Sequence, residues 1–268
     1  RGWKHVVGAE SGAARRPHLR ANDVVLGTGG FSRTPAETEA YRLGYLAGMV
    51  RGDGLLGHYR YARPQGGGGE QWHFRLALVD LEPLWRTRSY LDRLNVETRI
   101  FEFAVASEGR KRLWGIRSHA RRTHEMLSQL AEVPEAPSNE WSRGFLAGMF
   151  DAEGSWSRGV LRFSNTEAEL LAAVRQALER FDFDAVLEPG GRARASTVRV
   201  RGGLSEHLRF FHVTDPCIRR KRDLRGVALK SPVSRRVRRV EALGVDLLMF
   251  DLSTGTEDFI ANGVVRPG

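Results

Sequence analysis

Two apolar stretches of the chain share one pattern of small, apolar and acidic positions. Residues 44–54 read GYLAGMVRGDG and residues 144–154 read GFLAGMFDAEG. Each stretch has two glycines four residues apart and ends in an acid that is followed by glycine. Because glycine destabilises a helix interior by roughly 1 kcal/mol relative to alanine, two copies of this pattern indicate an internal repeat.

Helix-start signals precede both stretches. The segment RTPAETEAY predicts a helix with Thr34 as N-cap, Pro35 in the first helical position and Glu37 completing a capping box. The segment APSNEWSRG offers Ser138 as N-cap, with Glu140 in the first turn. We expect each helix to end at the glycine after its acid, a common C-terminal position for glycine.

The resemblance between the two halves continues downstream. Residues 74–96 align with 161–183, and each segment predicts a strand followed by an amphipathic helix. The first half has a longer insertion around 62–72, which reads as a hairpin tip with a flexible glycine run. Alternating segments then predict one further hairpin and a last helix in each half, at 97–106 with 112–118 and 119–131, and at 183–189 with 196–202 and 204–222.

The predicted fold class is therefore α+β, a pseudo-two-fold pair of α-β-β-α-β-β-α repeats. The repeats span 34–133 and 134–230, with further segments at 1–33 and 231–268. The glycine-rich GTGG at 27–30 lacks the lysine of a phosphate-binding loop, so we interpret it as a connection to the first repeat.

Composition narrows the choice of partner. The 268 residues carry a net charge of +10, and all but four of the 42 basic residues are arginine. A strongly basic folded protein favours a polyanionic partner such as nucleic acid, although arginine richness can also reflect genome composition. No apolar run is long enough to span a membrane, we find no signal peptide, and Cys217 is the only cysteine.

The glycine spacing suggests what the two helices do. Small residues four apart allow two helix backbones to approach closely. If the helices pack on each other, each delivers its terminal acid to the same place, and two adjacent carboxylates favour a divalent cation between or beside them. Such a site could hydrolyse phosphodiesters. The helix contact would use Gly44, Gly48, Gly144 and Gly148, and the acids are Asp53 and Glu153.

The segments LAGMVRGDG (46–54) and LAGMFDAEG (146–154) resemble the two motifs of single-chain LAGLIDADG homing endonucleases. The resemblance implies a saddle of strands that binds a long double-stranded DNA site, and Mg²⁺-dependent cleavage of both strands by a monomer. It implies that Mn²⁺ substitutes and that Ca²⁺ binds without supporting cleavage. The chain departs from the pattern at Arg51, where the second motif has Asp151. The implied metal ligands are the side chains of Asp53 and Glu153 and the backbone carbonyls of Gly52 and Ala152.

The two ends of the chain carry a second resemblance. MFDLSTGTEDFIANGVV (249–265) looks like the last strands of an intein splicing domain, and RGWKHVVG (1–8) is similar to a segment near an intein's start. Inteins need Cys or Ser first and His-Asn last, whereas this chain has Arg1, Pro267 and Gly268. The resemblance implies a truncated intein whose flanking β segments remain and which does not splice itself.

Basic side chains on the predicted strands could follow phosphates and read base edges. For any one of them a solvated surface charge is the alternative, and for Tyr59, Tyr61, Trp72 and Trp156 ordinary sheet packing is favoured over DNA contact. Either Lys111 or Lys221 could stabilise charge near the metal; the eight histidines show no metal-ligand spacing. The candidate DNA-contacting residues are Arg60, Arg63, Arg75, Arg99, Arg112, Arg158, Arg162, Arg192, Arg194, Arg199 and Arg201.

Three functions follow from these features. The first is a sequence-specific double-strand DNA endonuclease, expected in the bacterial cytoplasm and on the nucleoid when bound to DNA. The second is a catalytically silent DNA- or RNA-binding module of the same fold. The third is a remnant of a protein-splicing element. Retention of both acids favours the first.

Overall fold

The computed structural model describes residues 18–26, 34–62, 68–191, 194–224, 234–241, 244–245, 258–261 and 264–267. They fall into two compact units. One unit comprises Arg33–Gly203 with Phe210–Gly226, and the other is drawn from Arg1–Ser32, Leu204–Arg209 and Val227–Gly268.

The order α-β-β-α-β-β-α occurs twice along the chain, so the predicted α+β class and repeated order are confirmed. The first copy consists of α1 (Glu39–Asp53), β2 (Gly54–Ala62), β3 (Gly68–Leu78), α2 (Leu81–Arg93), β4 (Arg99–Ala104), β5 (Leu113–Ser118) and α3 (Arg121–Leu130). The second consists of α4 (Asn139–Glu153), β6 (Gly154–Ser157), β7 (Val160–Asn165), α5 (Ala168–Glu179), β8 (Ala185–Glu188), β9 (Ser196–Val200) and α6 (Gly203–Thr214).

Each copy forms a four-stranded antiparallel sheet, in the orders β2-β3-β5-β4 and β6-β7-β9-β8. Side chains alternate between the two faces of a strand. In β3 the buried Phe74 and Leu76 face the helices, and in β7 Leu161 and Phe163 do the same. The residues between them, Arg75 and Arg162, therefore lie on the face that points away from the helices.

The cores of the two repeats meet at α1 and α4, the two helices that carry the repeated motif and are called the motif helices. Phe145, Phe150 and Phe163 belong to the core of the second repeat, which also takes Ala47 from α1. The core of the first repeat in turn takes Ala147 from α4. Each motif helix thus packs mainly into its own repeat and also into the other, because the two helices lie directly against each other.

The start of α1 differs from the prediction. The N-cap is Thr38, whose hydroxyl accepts a hydrogen bond from the Tyr41 amide at 3.2 Å, and Thr34 instead lies within hydrogen-bonding distance of His212. Thr38 caps the helix because it stands three residues before Tyr41, which is buried. The predicted cap Ser138 is confirmed, since its hydroxyl accepts from the Trp141 amide at 3.1 Å.

Two other segments also differ from the prediction. The helix predicted over 204–222 ends at Thr214, because Asp215 has φ 52° and is followed by Pro216, and a short 3-10 helix follows at Arg219–Arg222. Part of the glycine run predicted as a flexible tip belongs to β3. Gly69 lies there under the ring of Tyr61, where a Cβ atom would stand 2.6 Å from the tyrosine hydroxyl oxygen.

The smaller unit contains two short antiparallel pairs, β1 (Val24–Leu26) with β10 (Ser234–Arg236) and β11 (Asp258–Ala261) with β12 (Val264–Pro267). The predictions for 1–8 and for GTGG at 27–30 lie outside the described residues. None of the helices in the described part of the chain is long and apolar enough to cross a membrane.

Candidate metal and nucleic-acid site

The four repeat glycines lie where α1 and α4 touch. A Cβ atom at Gly44 would overlap the carbonyl oxygen of Trp141, and one at Gly144 would overlap that of Tyr41. At Gly48 it would stand 2.6 Å from the Phe145 carbonyl oxygen, and at Gly148 it would overlap the carbonyl of Tyr45. The contact is reciprocal, as expected for two helices related by a pseudo-two-fold axis, and it leaves no room for a larger residue at these positions.

The two helices end side by side at the acids. Gly54 and Gly154 follow them with φ of −78° and −82°, so neither glycine adopts the left-handed conformation expected of a C-terminal glycine. Close packing explains them instead, since a Cβ atom at Gly54 would lie 2.8 Å from the Cα of Val50. The chain therefore passes directly from each helix into the first strand of its sheet.

Asp53 and Glu153 are close enough to influence each other. Burial and the charge of Asp53 raise the pKa of Glu153, against a hydrogen bond from Asn165 and the charge of Lys221. Burial also raises the pKa of Asp53, against the charge of Lys221, and the exposure of part of this residue to solvent keeps the effect small. A Cβ atom at Gly52 would stand 3.2 Å from Cγ of Glu153, which places the ends of the two helices in direct contact.

These residues fit a divalent cation of the kind that keeps part of its water shell. No group of three histidine, cysteine or acidic side chains with metal-binding geometry occurs in the described part of the chain. Two carboxylates that repel each other, next to the backbone carbonyls of Gly52 and Ala152, suit a Mg²⁺ ion that completes its coordination with water and phosphate oxygens.

Lys221 lies at the end of α4, beside the acids. Its ammonium donates to the backbone carbonyls of Phe150 at 3.1 Å and Asp151 at 2.6 Å, with the Ala152 carbonyl at 3.4 Å. A cation is favoured there by the carbonyls and the negative end of the helix dipole. Burial lowers the pKa of Lys221, while the charges of Asp151 and Asp53 act in the opposite direction.

The other candidate lysine lies further out. Lys111 is exposed in the connection between β4 and β5, and its charge contributes to lowering the pKa of Asp80, after hydrogen bonds from Arg220 as the main cause. Asp80 is the N-cap residue of α2. Lys111 therefore lies near the rim of the site, and Lys221 is the lysine that the structure places among the helix ends.

Two polar residues of the site were missed by sequence reasoning. Asn165 at the end of β7 donates to Glu153 Oε1 at 2.9 Å and also accepts from the amide of Glu167 at 2.8 Å, which fixes its orientation. Asp151 is almost completely buried and accepts hydrogen bonds from Tyr45 and from the Cys217 and Ile218 amides. The acid at the sixth motif position was the available signal for Asp151, and Asn165 had none.

On the outer face of each sheet, arginines line up across neighbouring strands. In the first repeat Arg75 pairs with Arg117 and Arg117 with Arg99, which forms a row over β3, β5 and β4. In the second repeat Arg162 pairs with Arg199 at the matching place on β7 and β9. Sequence reasoning missed Arg117, because its row depends on strand register.

Aromatic rings support the row of the first repeat. The guanidinium of Arg75 lies 4.6 Å from the ring centre of Phe103, and that of Arg117 lies 4.7 Å from the ring centre of Phe101. Stacking of this kind holds a guanidinium plane while its N–H edges stay available. His73 and His119 lie edge to face on the same side at 4.5 Å, and burial, His119 and the nearby arginines lower the pKa of His73.

The remaining candidates are distributed more widely. Arg60 pairs with Glu70 on the helix side of the β2–β3 hairpin, where Trp72 stacks on His58. Tyr59 and Tyr61 lie on the outer face and are exposed. Arg63 and Arg192 lie outside the described residues. Three of the other candidates form ion pairs: Arg112 with Glu102, Arg199 with Glu188 and Arg201 with Asp184. The last two candidates lie between strands, Arg158 in the β6–β7 turn and Arg194 in the β8–β9 connection.

Comparison with known proteins agrees with this architecture. Residues 140–213 match the sequence profile of the LAGLIDADG-like domain. An uncharacterized protein of Methanocaldococcus jannaschii, MJ0398, is 23% identical over 188 residues, which are 70% of this chain and 65% of that protein. The chain thus spans somewhat less than two thirds of this relative's length.

Solved structures of the homing endonuclease I-DmoI have a similar fold. Its complex with DNA and Mn superposes with a TM-score of 0.54 at 17% identity, covering 66% of this chain and 97% of that one. A variant of I-DmoI with its target DNA and Mg superposes with a TM-score of 0.55 at 17% identity, covering 68% of this chain and 100% of that one. The fold is therefore the two-domain LAGLIDADG fold.

Proposed function

We propose that this protein is a sequence-specific, divalent-metal-dependent endonuclease that cuts both strands of a long DNA site. The observation that carries the proposal is the meeting of Asp53 and Glu153 at two adjacent helix ends, where a Cβ atom at Gly52 would stand 3.2 Å from Cγ of Glu153. Mutual repulsion at a site with few other ligands favours a cation that brings its own water and phosphate ligands. The similarity to I-DmoI, whose structures contain DNA with Mn, Ca or Mg, supports the proposal.

The side chains of the site have distinct roles in this proposal. Asp53 and Glu153, with the carbonyls of Gly52 and Ala152, would hold Mg²⁺, with Mn²⁺ as a substitute and Ca²⁺ binding without cleavage. When bound, the metal would activate a water molecule and polarise the phosphodiester. Asn165 orients Glu153 through its 2.9 Å hydrogen bond. The ammonium of Lys221 offsets negative charge that develops on the phosphate.

The proposed DNA surface is the outer face of the two sheets. The arginine rows lie on this face, at matching positions in both repeats. Arginine suits both bidentate contacts to guanine edges and contacts to phosphates. Because both acids belong to one chain, we propose that the protein acts as a monomer.

An intein origin is a further part of the proposal. It is supported by the antiparallel β11–β12 pair, which lies largely within the segment that resembles the end of a splicing domain.

The cleavage proposal is tested with a randomised duplex library, sequenced at the cut ends after incubation in Mg²⁺ or in Ca²⁺. We expect one long motif to be enriched among the cuts in Mg²⁺ and no cuts in Ca²⁺. Asp53→Asn and Glu153→Gln should each lower the cleavage rate by at least about 10²-fold, the usual cost of losing an electrostatic group in a reaction centre. Glu169→Gln, an exposed acid of α5, is the matched control. Motif enrichment by binding without any cut would instead assign a recognition module.

The DNA surface is tested separately by binding in Ca²⁺. Arg75→Gln and Arg162→Gln should each weaken binding of the selected site by about 1–3 kcal/mol, the range for a base-reading arginine. Arg93→Gln on α2 is the control and should bind normally. Affinity should also fall steeply with salt concentration, because DNA binding releases counterions. Unchanged affinity in both row variants would place the DNA elsewhere.

A further inference from the structure

The segment that carries Lys221 is fastened to both repeats. We call this segment, Thr214–Arg222, the arm. Where the arm leaves α6, the Tyr41 hydroxyl of α1 donates to the Thr214 carbonyl at 2.8 Å. Arg86 of α2 donates to the Asp215 carbonyl at 2.7 Å. The arm begins at the last residue of α6 in the second repeat, yet these two contacts are with helices of the first repeat.

Asp151 is the inner anchor of the arm. Its carboxylate accepts from the Cys217 amide at 2.9 Å and from the Ile218 amide at 3.1 Å, and the Tyr45 hydroxyl donates to it at 2.9 Å. Only 2% of Asp151 is exposed. A buried carboxylate is tolerated when such donors satisfy it, so the arrangement fixes the backbone of the arm against the end of α4.

Asp80 is the outer anchor. The guanidinium of Arg220 donates to both of its carboxylate oxygens, at 2.6 and 2.5 Å. Because Arg220 directly precedes Lys221, both anchors hold the stretch of chain that leads into the lysine. The lysine ammonium can then donate to the carbonyls of Phe150 and Asp151, in a position from which its charge reaches Asp53 and Glu153.

We propose that Asp151 and Asp80 are positioning residues that act through Lys221, by holding the arm so that the lysine ammonium stays at the end of α4. This inference rests on the proposed function only for its catalytic consequence. The first repeat has no such anchor at the matching motif position, because Arg51 stands there and pairs with Glu167. The site at the ends of α1 and α4 therefore receives its lysine from the arm, which lies outside these two helices.

The first test needs neither metal nor DNA. The protein is labelled with a limiting amount of an amine-acetylating reagent, and labelling of Lys221 relative to exposed Lys111 is measured by mass spectrometry. We expect Lys221 to be protected in the wild type and to gain labelling in Asp151→Asn and in Arg220→Gln. Val174→Ala, a core substitution in α5 whose hydrophobic cluster does not include Cys217 of the arm, should leave the ratio unchanged. An unchanged ratio in both arm variants would overturn the proposal.

The second test is a double-mutant cycle on kcat at saturating DNA, with Kd for DNA measured separately in Ca²⁺. Asp151→Asn should lower kcat on the order of 10²-fold, as expected for a misplaced catalytic group, with little change in Kd. In a Lys221→Met background the same substitution should have almost no further effect on kcat. Val174→Ala should combine additively with Lys221→Met.

These outcomes distinguish a failure of the proposed endonuclease activity from a failure of the proposed positioning role. If the wild type makes no cuts, the proposed endonuclease activity fails, and the labelling ratio still decides whether the anchors position Lys221. If Asp151→Asn slows cleavage equally with and without Lys221, its role is general stability and the positioning proposal is wrong. Because Arg220 and Asp80 are less buried than Asp151, Arg220→Gln and Asp80→Asn give the same readouts should Asp151→Asn fail to fold.

Discussion

The ends of α1 and α4 have nearly the same sequence and different chemistry. Both helices begin at a capping hydroxyl, contact each other through glycines and end at an acid. At the sixth motif position, however, Arg51 is partly exposed and pairs with Glu167, whereas Asp151 is buried and binds the arm. Glu153 has a hydrogen-bonding partner in Asn165. The comparison shows that the repeat fixes the backbone contact, while polar partners from outside the motifs make the two ends unequal.

The largest expected effect tests the symmetric part of this comparison. Gly44→Ala and Gly144→Ala should each destabilise the protein by about 1–3 kcal/mol or more, because the new methyl group would overlap a backbone carbonyl of the other helix. The two losses should be similar, since the contacts are reciprocal. Unfolding in urea measures both. Gly191→Ala, where a Cβ atom meets nothing within 4 Å, is the control.

A smaller effect tests the difference between the two helix ends at the sixth motif position. Asp151→Asn should lower the free energy of unfolding by about 1–3 kcal/mol, because at least one buried hydrogen bond of the arm loses its acceptor. Arg51→Gln at the matching position should cost less than about 1 kcal/mol, because its ion pair with Glu167 is partly exposed and solvent screens it. Equal losses would mean that the two positions have equivalent roles.

The smallest effect concerns pH and metal. Since the folded-state pKa of Asp53 is raised, the unfolded chain ionises first, and stability falls as pH rises through the folded pKa. Asp53→Asn removes this loss. Because Asp53 is exposed and solvent screens its charge, the substitution should stabilise the protein only slightly at neutral pH without divalent metal, by about 0.5 kcal/mol or less.

Mg²⁺ should stabilise the wild-type protein more than the Asp53→Asn variant. It should raise the Tm of the wild type by binding the folded state and leave Asp53→Asn nearly unchanged. Thermal melts at several pH values, with and without Mg²⁺, measure both effects. A wild-type Tm that does not respond to Mg²⁺ in the absence of DNA would show that the acids need the phosphate to complete the site.

Much of the fold could be predicted because its signals are local. The period of apolar positions gave the order of helices and strands, and Ser138 was recognisable as a cap from its own neighbourhood. The cap of α1 was predicted too early, because Thr34 and Thr38 both precede acidic first turns and only the burial of Tyr41 decides between them. The break after Thr214 was missed although Asp215 and Pro216 signal it.

The site was predictable only in part, because most of its polar partners are distant in sequence. Asn165 meets Glu153 from another strand, and Asp151 meets Cys217 across 66 positions of the chain. Arg117 joins its row through strand register, and His73 meets His119 from the end of another strand. No spacing rule connects such residues before the sheets are formed.

The sequence by itself determined that two similar helices carry an acid at their ends, since the repeat of glycines and acids is written in the order of residues. It also determined the excess of arginine that favours a polyanionic partner. The tertiary structure alone decided which side chains surround each acid, which arginines share a face and where Lys221 lies. The physical reason is that hydrogen bonds and charge interactions act over a few ångströms in space, and only packing brings distant parts of the chain within that range.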